Sequence, residues 1–382
     1  MEDWSVHHLS QQAEVSLGAD KALSLRQYAQ KLRQKHLPVI FTLRHLCKIT
    51  DVDYSVLRAT VERRRESANY HMFSVRKRSG GRRFIHAVSG KLFTAQQFIN
   101  TDILQKIEPH PASFAFHPKG GIRKCAAMHG GARWLFQYDL QNFFYDVNEV
   151  DVFHIFKNIG YRPLLAFELA RICTTTQLPE HLRGLLRPVG KGFRKAYAFY
   201  ADRTRSIGVL PQGAPSSPML SNLAARELDE NLFEYADKHG FVYTRYADDI
   251  TLSAGRLPEA VSVGKINRSV IGIIRRCRFM ENEKKTRVAG PGSKKVVLGL
   301  LVDGDHPRIS KETYKRIDRH LHATLKYGLA EVASHENFDS SFGFYNHLAG
   351  LISFVKDVDP TRWPEFNERF SRVKTPWTLE AR

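Results

Sequence analysis

The segment Tyr243-Thr-Arg-Tyr-Ala-Asp-Asp-Ile-Thr-Leu-Ser-Ala alternates apolar and polar residues on both sides of two adjacent carboxylates. This alternation predicts two strands, at 241–246 and 250–254, joined by a turn that holds Ala247, Asp248 and Asp249. Neighbouring carboxylates repel each other, and each resists burial without a partner. The segment therefore predicts a β-hairpin whose turn carries two negative charges.

A third carboxylate ends another predicted strand, Ala132-Arg-Trp-Leu-Phe-Gln-Tyr-Asp. In a common sheet, Asp139 would lie beside the hairpin turn, so that three carboxylates converge at one sheet edge. Such a cluster suits two divalent cations, because Mg²⁺ prefers oxygen ligands and an ion pair can stabilise the attacking and leaving oxygens of a phosphoryl transfer. For two adjacent aspartates alone, a polar loop without chemistry is the alternative.

The remaining chain mixes helical and strand patterns. In the N-terminal part they predict an amphipathic helix within 1–36, two short helices between 37 and 66, and a basic hairpin from 73–78 and 82–88 around a Gly-rich turn. Farther along they predict helices at 150–173, 218–239 and 263–277 and a strand at 296–302. The C-terminal third, from Ile309, is predicted to be helical. Ser216 or Ser217 can cap the helix at 218–239. This mixture, without repeats or long linkers, predicts one continuous α+β fold with an antiparallel sheet.

Composition points to a polyanionic partner. The 382 residues include 58 Lys+Arg and 39 Asp+Glu, giving a net charge of +19, and a basic excess of this size favours nucleic acid. A basic surface that binds nothing is the alternative. With 42% hydrophobic and 25% charged residues, the chain is typical of globular proteins, which excludes disordered and fibrous classes.

Cysteine spacing and hydropathy predict a cytoplasmic protein. The four cysteines form no CxxC pair, so reduced thiols are expected. No run of about eighteen apolar residues and no signal-peptide pattern at the N-terminus is present. We therefore expect neither secretion nor membrane insertion.

Three further strings accompany the hairpin: Gln137-Tyr-Asp-Leu-Gln-Asn-Phe-Phe, Leu210-Pro-Gln-Gly-Ala-Pro-Ser-Ser-Pro-Met-Leu-Ser-Asn and Asn282-Glu-Lys-Lys-Thr. In this order they resemble the palm motifs of reverse transcriptases, and they are most similar to those of bacterial retrons. The resemblance extends from Tyr70, or from Leu37, to about His322. It implies a right-hand polymerase fold with an N-terminal helical extension at 1–36, fingers at 37–131, a palm at 132–303 and a thumb at 304–382.

The resemblance implies an RNA-directed DNA polymerase that copies a structured non-coding RNA into single-stranded DNA (msDNA) in anti-phage defence. Its cofactors would be two Mg²⁺ ions, with Mn²⁺ as the alternative, and its partners the RNA, its cDNA, dNTPs and an effector protein encoded nearby. The alternatives are a defence-associated reverse transcriptase with different priming, an RNA-synthesising polymerase, a catalytically idle RNA-binding scaffold and a metal-dependent nuclease. The bulky Phe144 argues against the RNA-synthesising polymerase, and the intact aspartates argue against the idle scaffold. The lack of a His/Glu cluster argues against the nuclease.

By position in the motifs, the resemblance implies that Asp139, Asp248 and Asp249 are catalytic and bind metal, together with the backbone carbonyl of Leu140. Phe144 matches the aromatic gate against a ribose 2′-hydroxyl, although a core position is its alternative. The dNTP-binding group is completed by Gln212 next to Gly213, by Lys285, and by Arg82 or Arg83 of the basic hairpin, between which the sequence does not choose. Tyr246 is expected near the primer terminus.

Two motifs depart from the retron pattern. Cys125-Ala-Ala-Met-His129 stands where an Asn-Ala-x-x-His string is usual, and Val297-Leu298-Gly299 stands where Val-Thr-Gly is usual. These departures leave the priming mechanism open. A basic insertion at about 177–208, with seven Lys/Arg against two acidic residues, is a further addition that would bind RNA or a protein.

The predicted thumb carries a basic stripe. Lys315, Arg319, His322 and Lys326 recur at spacings of three to four, so they share one helix face. Such a face can follow the phosphates of an A-form RNA stem. A solvated helix face is the alternative.

Overall fold

The computed structural model describes residues 5–76, 81–188, 206–259 and 261–376. The N-terminal segment forms two helices, α1 (Val6–Leu17) and α2 (Ala19–Gln34). The amphipathic helix predicted within 1–36 is present as α2, and the additional helix α1 precedes it, separated from it at Gly18, whose φ is 84°. Two short helices follow as predicted, α3 (Leu43–Thr50) and α4 (Tyr54–Val61), and then the one-turn helix α5 (Glu66–Asn69).

The predicted basic hairpin is present as a separate two-stranded sheet. Its strands are β1 (Tyr70–Arg76) and β2 (Arg82–Val88), paired antiparallel. The predicted turn lies mostly outside the described residues, which omit 77–80. Helix α6 (Gly90–Phe98) and, after a loop, α7 (Ile122–Ala127) lead to the central sheet.

The central sheet is antiparallel, as predicted. It contains β3 (Trp134–Asp139), β4 (Val242–Tyr246), β5 (Asp249–Ala254) and β6 (Arg287–Ala289), in the order β4-β5-β3-β6. The β4–β5 turn consists of Ala247 and Asp248, and Asp249 is the first residue of β5 rather than a turn residue. This register places Asp249 beside Asp139.

Helices that follow β3 in the chain share one core with this sheet. They are α8 (Phe143–Asp146), α9 (Glu149–Ile159), α10 (Pro163–Cys173), α11 (Ser217–Ala224), α12 (Arg226–His239) and α13 (Val263–Arg276). Their buried side chains pack in one core with Phe136 and Leu252 of the sheet. The helix predicted at 150–173 is two helices, separated at Gly160–Arg162 before Pro163. The helix predicted at 218–239 is also two, separated at Ala225, and Ser216 takes the N-cap position without a capping hydrogen bond from its side chain.

The strand predicted at 296–302 was wrong, because the chain reverses within it. Strands β7 (Val296–Val297) and β8 (Leu300–Leu301) form a tight hairpin, with β9 (Arg308–Ile309) on its far side. The turn residues Leu298 and Gly299 both have positive φ, 49° and 84°, as a two-residue hairpin turn requires. The Val297-Leu298-Gly299 departure thus lies at a turn.

The C-terminal third is helical, as predicted. Its helices are α14 (Lys311–Tyr327), α15 (Leu329–His335), α16 (Ser341–Val358) and α17 (Trp363–Ser371). They form a second core around Leu321, Phe344 and Ile352, which also includes Leu135 of the central sheet. Leu135 therefore joins the C-terminal helices to the central sheet.

The segment predicted as a basic insertion, at about 177–208, begins and ends at one place. Thr175 and Val209 exchange two backbone hydrogen bonds of 2.9 Å each, and Pro188 pairs with Ser206 farther out. Between them lies a 3₁₀ turn at Glu180–Leu185, while 189–205 lie outside the described residues. We call the Thr175–Val209 pair the neck of the insertion.

All four cysteines are free thiols, and three of them are buried. Across the described ranges, no helix combines the length and the apolar character needed to cross a bilayer.

Candidate active site

Two of the three aspartates face each other across neighbouring strands. Asp139, the last residue of β3, is the cross-strand partner of Asp249, the first residue of β5, and such partners have Cβ atoms about 5 Å apart. The amide of Leu140 donates to the carbonyl of Asp248 at 2.9 Å, which fixes the turn against β3. The structure therefore brings the three predicted aspartates, and Leu140, to one edge of the sheet.

This edge is electrostatically strained. Burial, together with the charge of Asp139, raises the pKa of Asp248. Although Asp249 opens toward solvent, the protein around its carboxyl and the charges of Asp248 and Asp139 raise its pKa to about 6. The neighbouring carboxylates therefore make Asp248 and Asp249 harder to ionise, and the charge of Lys285 offsets part of this effect.

Two side chains hold Asp139 in place. The Nζ atom of Lys285 lies 2.5 Å from Oδ2, and Nδ2 of Asn282 lies 3.1 Å from Oδ1. Burial opposes the charged form of Lys285, but the hydrogen bond and charge of Asp139 outweigh it and raise the lysine pKa. Lys285, predicted as a nucleotide-binding residue, is thus in direct contact with a candidate metal ligand.

The residues fit a divalent cation by their chemistry. All donors are oxygens, and a cation would relieve the mutual repulsion that, together with burial, raises the pKa values of Asp248 and Asp249. Within the described ranges, however, no three His, Cys, Asp or Glu side chains are already arranged around a single point. A cation at Asp139 would also compete with Lys285 for the same oxygen.

A buried arginine that was not predicted from the sequence supports the turn between β4 and β5. Arg245 and Asp229 are both fully buried and form a bidentate ion pair, in which Nε and Nη2 of Arg245 donate to Oδ1 and Oδ2 of Asp229 at 2.7 and 2.6 Å. Nη1 of Arg245 also donates to the carbonyl of Ala247 at 3.0 Å. A charged residue at an inward-facing strand position was the available signal, because such a residue needs a buried partner.

His129 supports the same hairpin from another side. Its ring nitrogens lie 2.7 Å from Oγ1 of Thr244 in β4 and 2.7 Å from Oγ of Ser253 in β5. Burial lowers its pKa to about 4, so the ring is neutral near pH 7. Cys125, which departs from the retron pattern, also contacts Thr244, at 3.3 Å.

The two phenylalanines after Asp139 differ in burial. Phe143 is 4% exposed and belongs to the core, whereas Phe144 is only partly buried and packs against that core from outside. The ring of Phe144, predicted as the gate, is therefore accessible, and it is Phe143 beside it that takes the core position.

The Gln212 loop lies against the basic hairpin. The carbonyl of Gln212 accepts from the amide of His86 in β2 at 2.8 Å. Gly213 has φ 114°, and a Cβ there would come within 2.9 Å of the carbonyl of His86 and the side chain of Ile85. Only glycine suits this position, because both the conformation and the close approach exclude a side chain.

The structure distinguishes the two hairpin arginines. Both are exposed, and the charge of Arg83 is among the causes that act on the pKa of Asp248, which it lowers. Arg83 also shares its strand face with Ile85, which contacts the Gln212 loop. These two observations favour Arg83 as the arginine whose charge acts at the carboxylates.

The remaining predicted residues are Tyr246 and the basic stripe. Tyr246 is half-buried and pairs with Asp249 at the base of the turn. The basic stripe is present on α14, and all four of its members are exposed: Lys315, Arg319, His322 and Lys326. Among the described residues, no hydrogen bond or ion pair joins this stripe to the carboxylates.

Comparison with known proteins gives one consistent relationship. Residues 75–302 match the family of reverse transcriptases (RNA-dependent DNA polymerases). The Retron Ec86 reverse transcriptase of Escherichia coli is 30% identical over 331 residues, which are 86% of this chain and 88% of that protein. The Retron Mx65 reverse transcriptase of Myxococcus xanthus is 30% identical over 349 residues, 91% of this chain and 74% of that protein. A solved telomerase from Candida albicans is similar with a TM-score of 0.41 and 12% identity, over 81% of this chain and 58% of that one.

Proposed function

This chain belongs to the reverse transcriptases, as an RNA-directed DNA polymerase of retron type, and from that premise we propose that it copies a structured non-coding RNA into msDNA for anti-phage defence. The observation that carries the polymerase chemistry is the Asp139–Asp249 pair beside the Asp248 turn. The right-hand fold of the family supports fingers at 37–131, a palm at 132–303 and a thumb at 304–382, preceded by the extension at 1–36.

In this proposal Asp139, Asp248 and Asp249, with the carbonyl of Leu140, hold two Mg²⁺ ions, or Mn²⁺ in their place. When bound, the ions supply Lewis-acid stabilisation of negative charge on reacting phosphate oxygens. The chain's own contribution is to fix the carboxylates, through the Arg245 contact to the turn and the Asn282 contact to Asp139.

Nucleotide selection would come from residues around this edge. Arg83 is placed to bind the triphosphate, because a guanidinium can engage two phosphate oxygens at once. Gln212 would hydrogen-bond the sugar or triphosphate, and the ring of Phe144 would leave no room for a 2′-hydroxyl. Lys285 would give a proton to the departing pyrophosphate, and Tyr246 would pack near the primer terminus.

RNA would be held mainly by charge. The exposed stripe on α14 supports contacts to the phosphates of an RNA stem. The insertion at 177–208 would add a second basic surface, for RNA or for an effector protein encoded nearby. These partners follow from the family relationship and from the net charge of +19.

The first experiment replaces both turn carboxylates. Asp248→Asn with Asp249→Asn removes two charges at nearly constant shape, so primed extension of an RNA template with dNTPs and Mg²⁺ should be lost while the protein stays folded. Glu234→Gln with Asp237→Asn removes two charges from the exposed face of α12 and should leave extension unchanged. Extension by the first variant would refute the assignment of the site.

The second experiment identifies the product. The protein is expressed with its flanking DNA, and the nucleic acids that co-purify are sequenced across any RNA–DNA junction. A single-stranded DNA joined to one structured RNA through a 2′-hydroxyl supports retron priming. A cDNA with no such junction would instead identify a defence reverse transcriptase that primes differently, and RNA without cDNA would identify a scaffold.

The defence role needs a cellular test. Cells carrying the complete locus should form fewer phage plaques than cells carrying the same locus with the Asp248→Asn and Asp249→Asn changes. Equal plaque counts across a broad phage panel would count against defence while leaving the polymerase assignment intact.

A further inference from the structure

Phe116 has an unusual backbone conformation for a bulky side chain. Its φ is 68°, in the left-handed region that glycine and asparagine adopt more readily than aromatic residues. Such a conformation persists only where the surrounding structure imposes it, and it concentrates at functional sites. Phe116 therefore needs a structural explanation.

The loop that carries Phe116 is attached to the palm along its length. The amide of Phe114 donates to the carbonyl of Arg245 at 2.9 Å, and the amide of Arg245 donates to Ala112 at 2.7 Å. The carbonyl of Ala115 accepts from Asn222 Nδ2 at 2.6 Å. These bonds leave the chain little freedom on the side that precedes Phe116.

Phe116 itself is held by its carbonyl, which accepts from Nε2 of Gln105 at 3.0 Å. On its far side, Nε2 of His117 lies 2.7 Å from the carbonyl of Ser113. The left-handed φ is thus enforced from both neighbours. The result is a fixed direction for the Phe116 ring.

That ring packs against Phe144. The two ring centroids are 6.1 Å apart with planes tilted by 43°, within the usual range for aromatic pairs. The Phe143 ring centroid also lies 5.8 Å from that of Phe144, and the Arg245 guanidinium lies 5.6 Å above the Phe143 ring. Phe144 is therefore held by one ring from the core and one from the loop.

External support matters here because α8 is short. It spans only Phe143–Asp146, and its N-cap residue, Asn142, also has a left-handed φ of 49°. A gate that acts by overlap with one oxygen atom depends on where its ring stands, so a small displacement changes discrimination. A one-turn helix alone gives such a ring limited support.

We propose that Phe116 is a positioning residue for sugar selection, which holds the Phe144 ring where it excludes a ribose 2′-hydroxyl. This inference rests on the proposed gate function of Phe144. Phe116 makes no contact with the nucleotide in this scheme. It acts only through the gate.

The test measures the ratio of kcat/KM for a dNTP to that for the matching rNTP on a primed RNA template. Phe116→Asn removes the ring but keeps a residue that tolerates the left-handed backbone, and Phe116→Tyr keeps the ring. We expect Phe116→Asn to lower the ratio about three- to tenfold, as loss of one aromatic contact implies. The dNTP value should change less than the rNTP value, and Phe116→Tyr should retain the parent ratio.

Two further variants separate positioning from general damage. Phe114→Leu alters a ring in the same loop while keeping its backbone bonds, and it should leave the ratio unchanged. Phe144→Val should lower the ratio by itself, and adding Phe116→Asn to it should lower it no further, because the residue that Phe116 positions is gone.

The outcomes distinguish the two hypotheses. If Phe144→Val lowers the ratio and Phe116→Asn does not, the positioning role is wrong and the gate stands. If both single variants lower it and their effects multiply in the double variant, Phe116 acts on the nucleotide directly, which also overturns the proposal. If Phe144→Val leaves the ratio unchanged, the gate assignment itself fails.

Discussion

Nζ of Lys285 lies 2.5 Å from Oδ2 of Asp139. The lysine side chain is half-exposed, whereas that of Asp139 is nearly buried, so the ammonium covers the outer side of the carboxylate. The Lys285 ammonium, which we expect to donate a proton, is thus in contact with the Asp139 carboxylate, which we expect to bind a cation. Asp139 would hold a cation through the same oxygen that now accepts from Lys285, so the two charges would compete for it.

Lys285→Arg should separate charge from proton donation. Arginine can keep an ion pair with Asp139, but it does not release a proton at ordinary pH. If Lys285 is the general acid, we expect kcat to fall about 10²-fold or more with little change in dNTP KM. The measurement is single-nucleotide extension as a function of pH, in which the parent alone should lose activity as the lysine deprotonates. A rate for Lys285→Arg equal to that of the parent would contradict a role as acid.

Arg83 should matter more than Arg82 for nucleotide binding. Its charge reaches Asp248, so Arg83→Ala should raise the KM for dNTP about tenfold, the usual cost of losing a charge-assisted hydrogen bond. Arg82→Ala, one residue away on the opposite strand face, is the matched control and should change KM by less than about threefold. Steady-state kinetics with both variants decides the question, and the reverse order would reassign the triphosphate contact to Arg82.

His129 predicts acid sensitivity. Its folded-state pKa of about 4 lies below the ordinary value of 6.5, so the unfolded chain takes up a proton first as the pH falls. The free energy of unfolding should therefore decrease between about pH 6.5 and about pH 4, by about 3 kcal/mol from this residue. Denaturant unfolding of the parent and of His129→Gln across this range gives the difference, and parallel pH profiles would show that His129 is not the cause.

The α14 stripe predicts a salt-dependent RNA contact. Arg319→Glu with Lys326→Glu should weaken retention of the co-purifying RNA and flatten the log–log salt dependence by about one unit per lost phosphate contact. Extension of a generic primed template should change less. Lys265→Glu with Arg268→Glu, on the exposed face of α13, provides the same charge change elsewhere. Equal salt slopes for both reversed proteins would exclude a specific role for the stripe.

The sequence pattern was enough to predict β3, β4 and β5 and the carboxylates at their ends, but it did not predict the short strand β6. The alternating strands around Asp139 and Asp249 could be recognised because one face of each strand packs on helices. Two predicted helices, at 150–173 and 218–239, are each two helices in the structure, and only one of the two breaks has a signal in the sequence. The break before Pro163 carried a visible signal in Gly160 and Pro163, whereas the break at Ala225 follows from tertiary packing and has none in the local sequence.

The parts of the site that sequence could not predict are those made by contacts across the chain. The distinction between Arg83 and Arg82 depends on the register of β2 against the Gln212 loop, and the partner of Arg245 is a helix residue, Asp229. The Phe116–Phe144 contact joins a loop to a one-turn helix through a backbone conformation that composition does not encode. The strand predicted at 296–302 failed because Leu298, a residue seldom found at positive φ, occupies a turn.

The neck formed by Thr175 and Val209 makes the segment between them a place where the chain length can change. Because its two ends are already hydrogen-bonded to each other, a segment of different length can be exchanged between them at a small additional entropic cost of loop closure. The same property makes the neck a suitable place to graft a reporter or a foreign RNA-binding module.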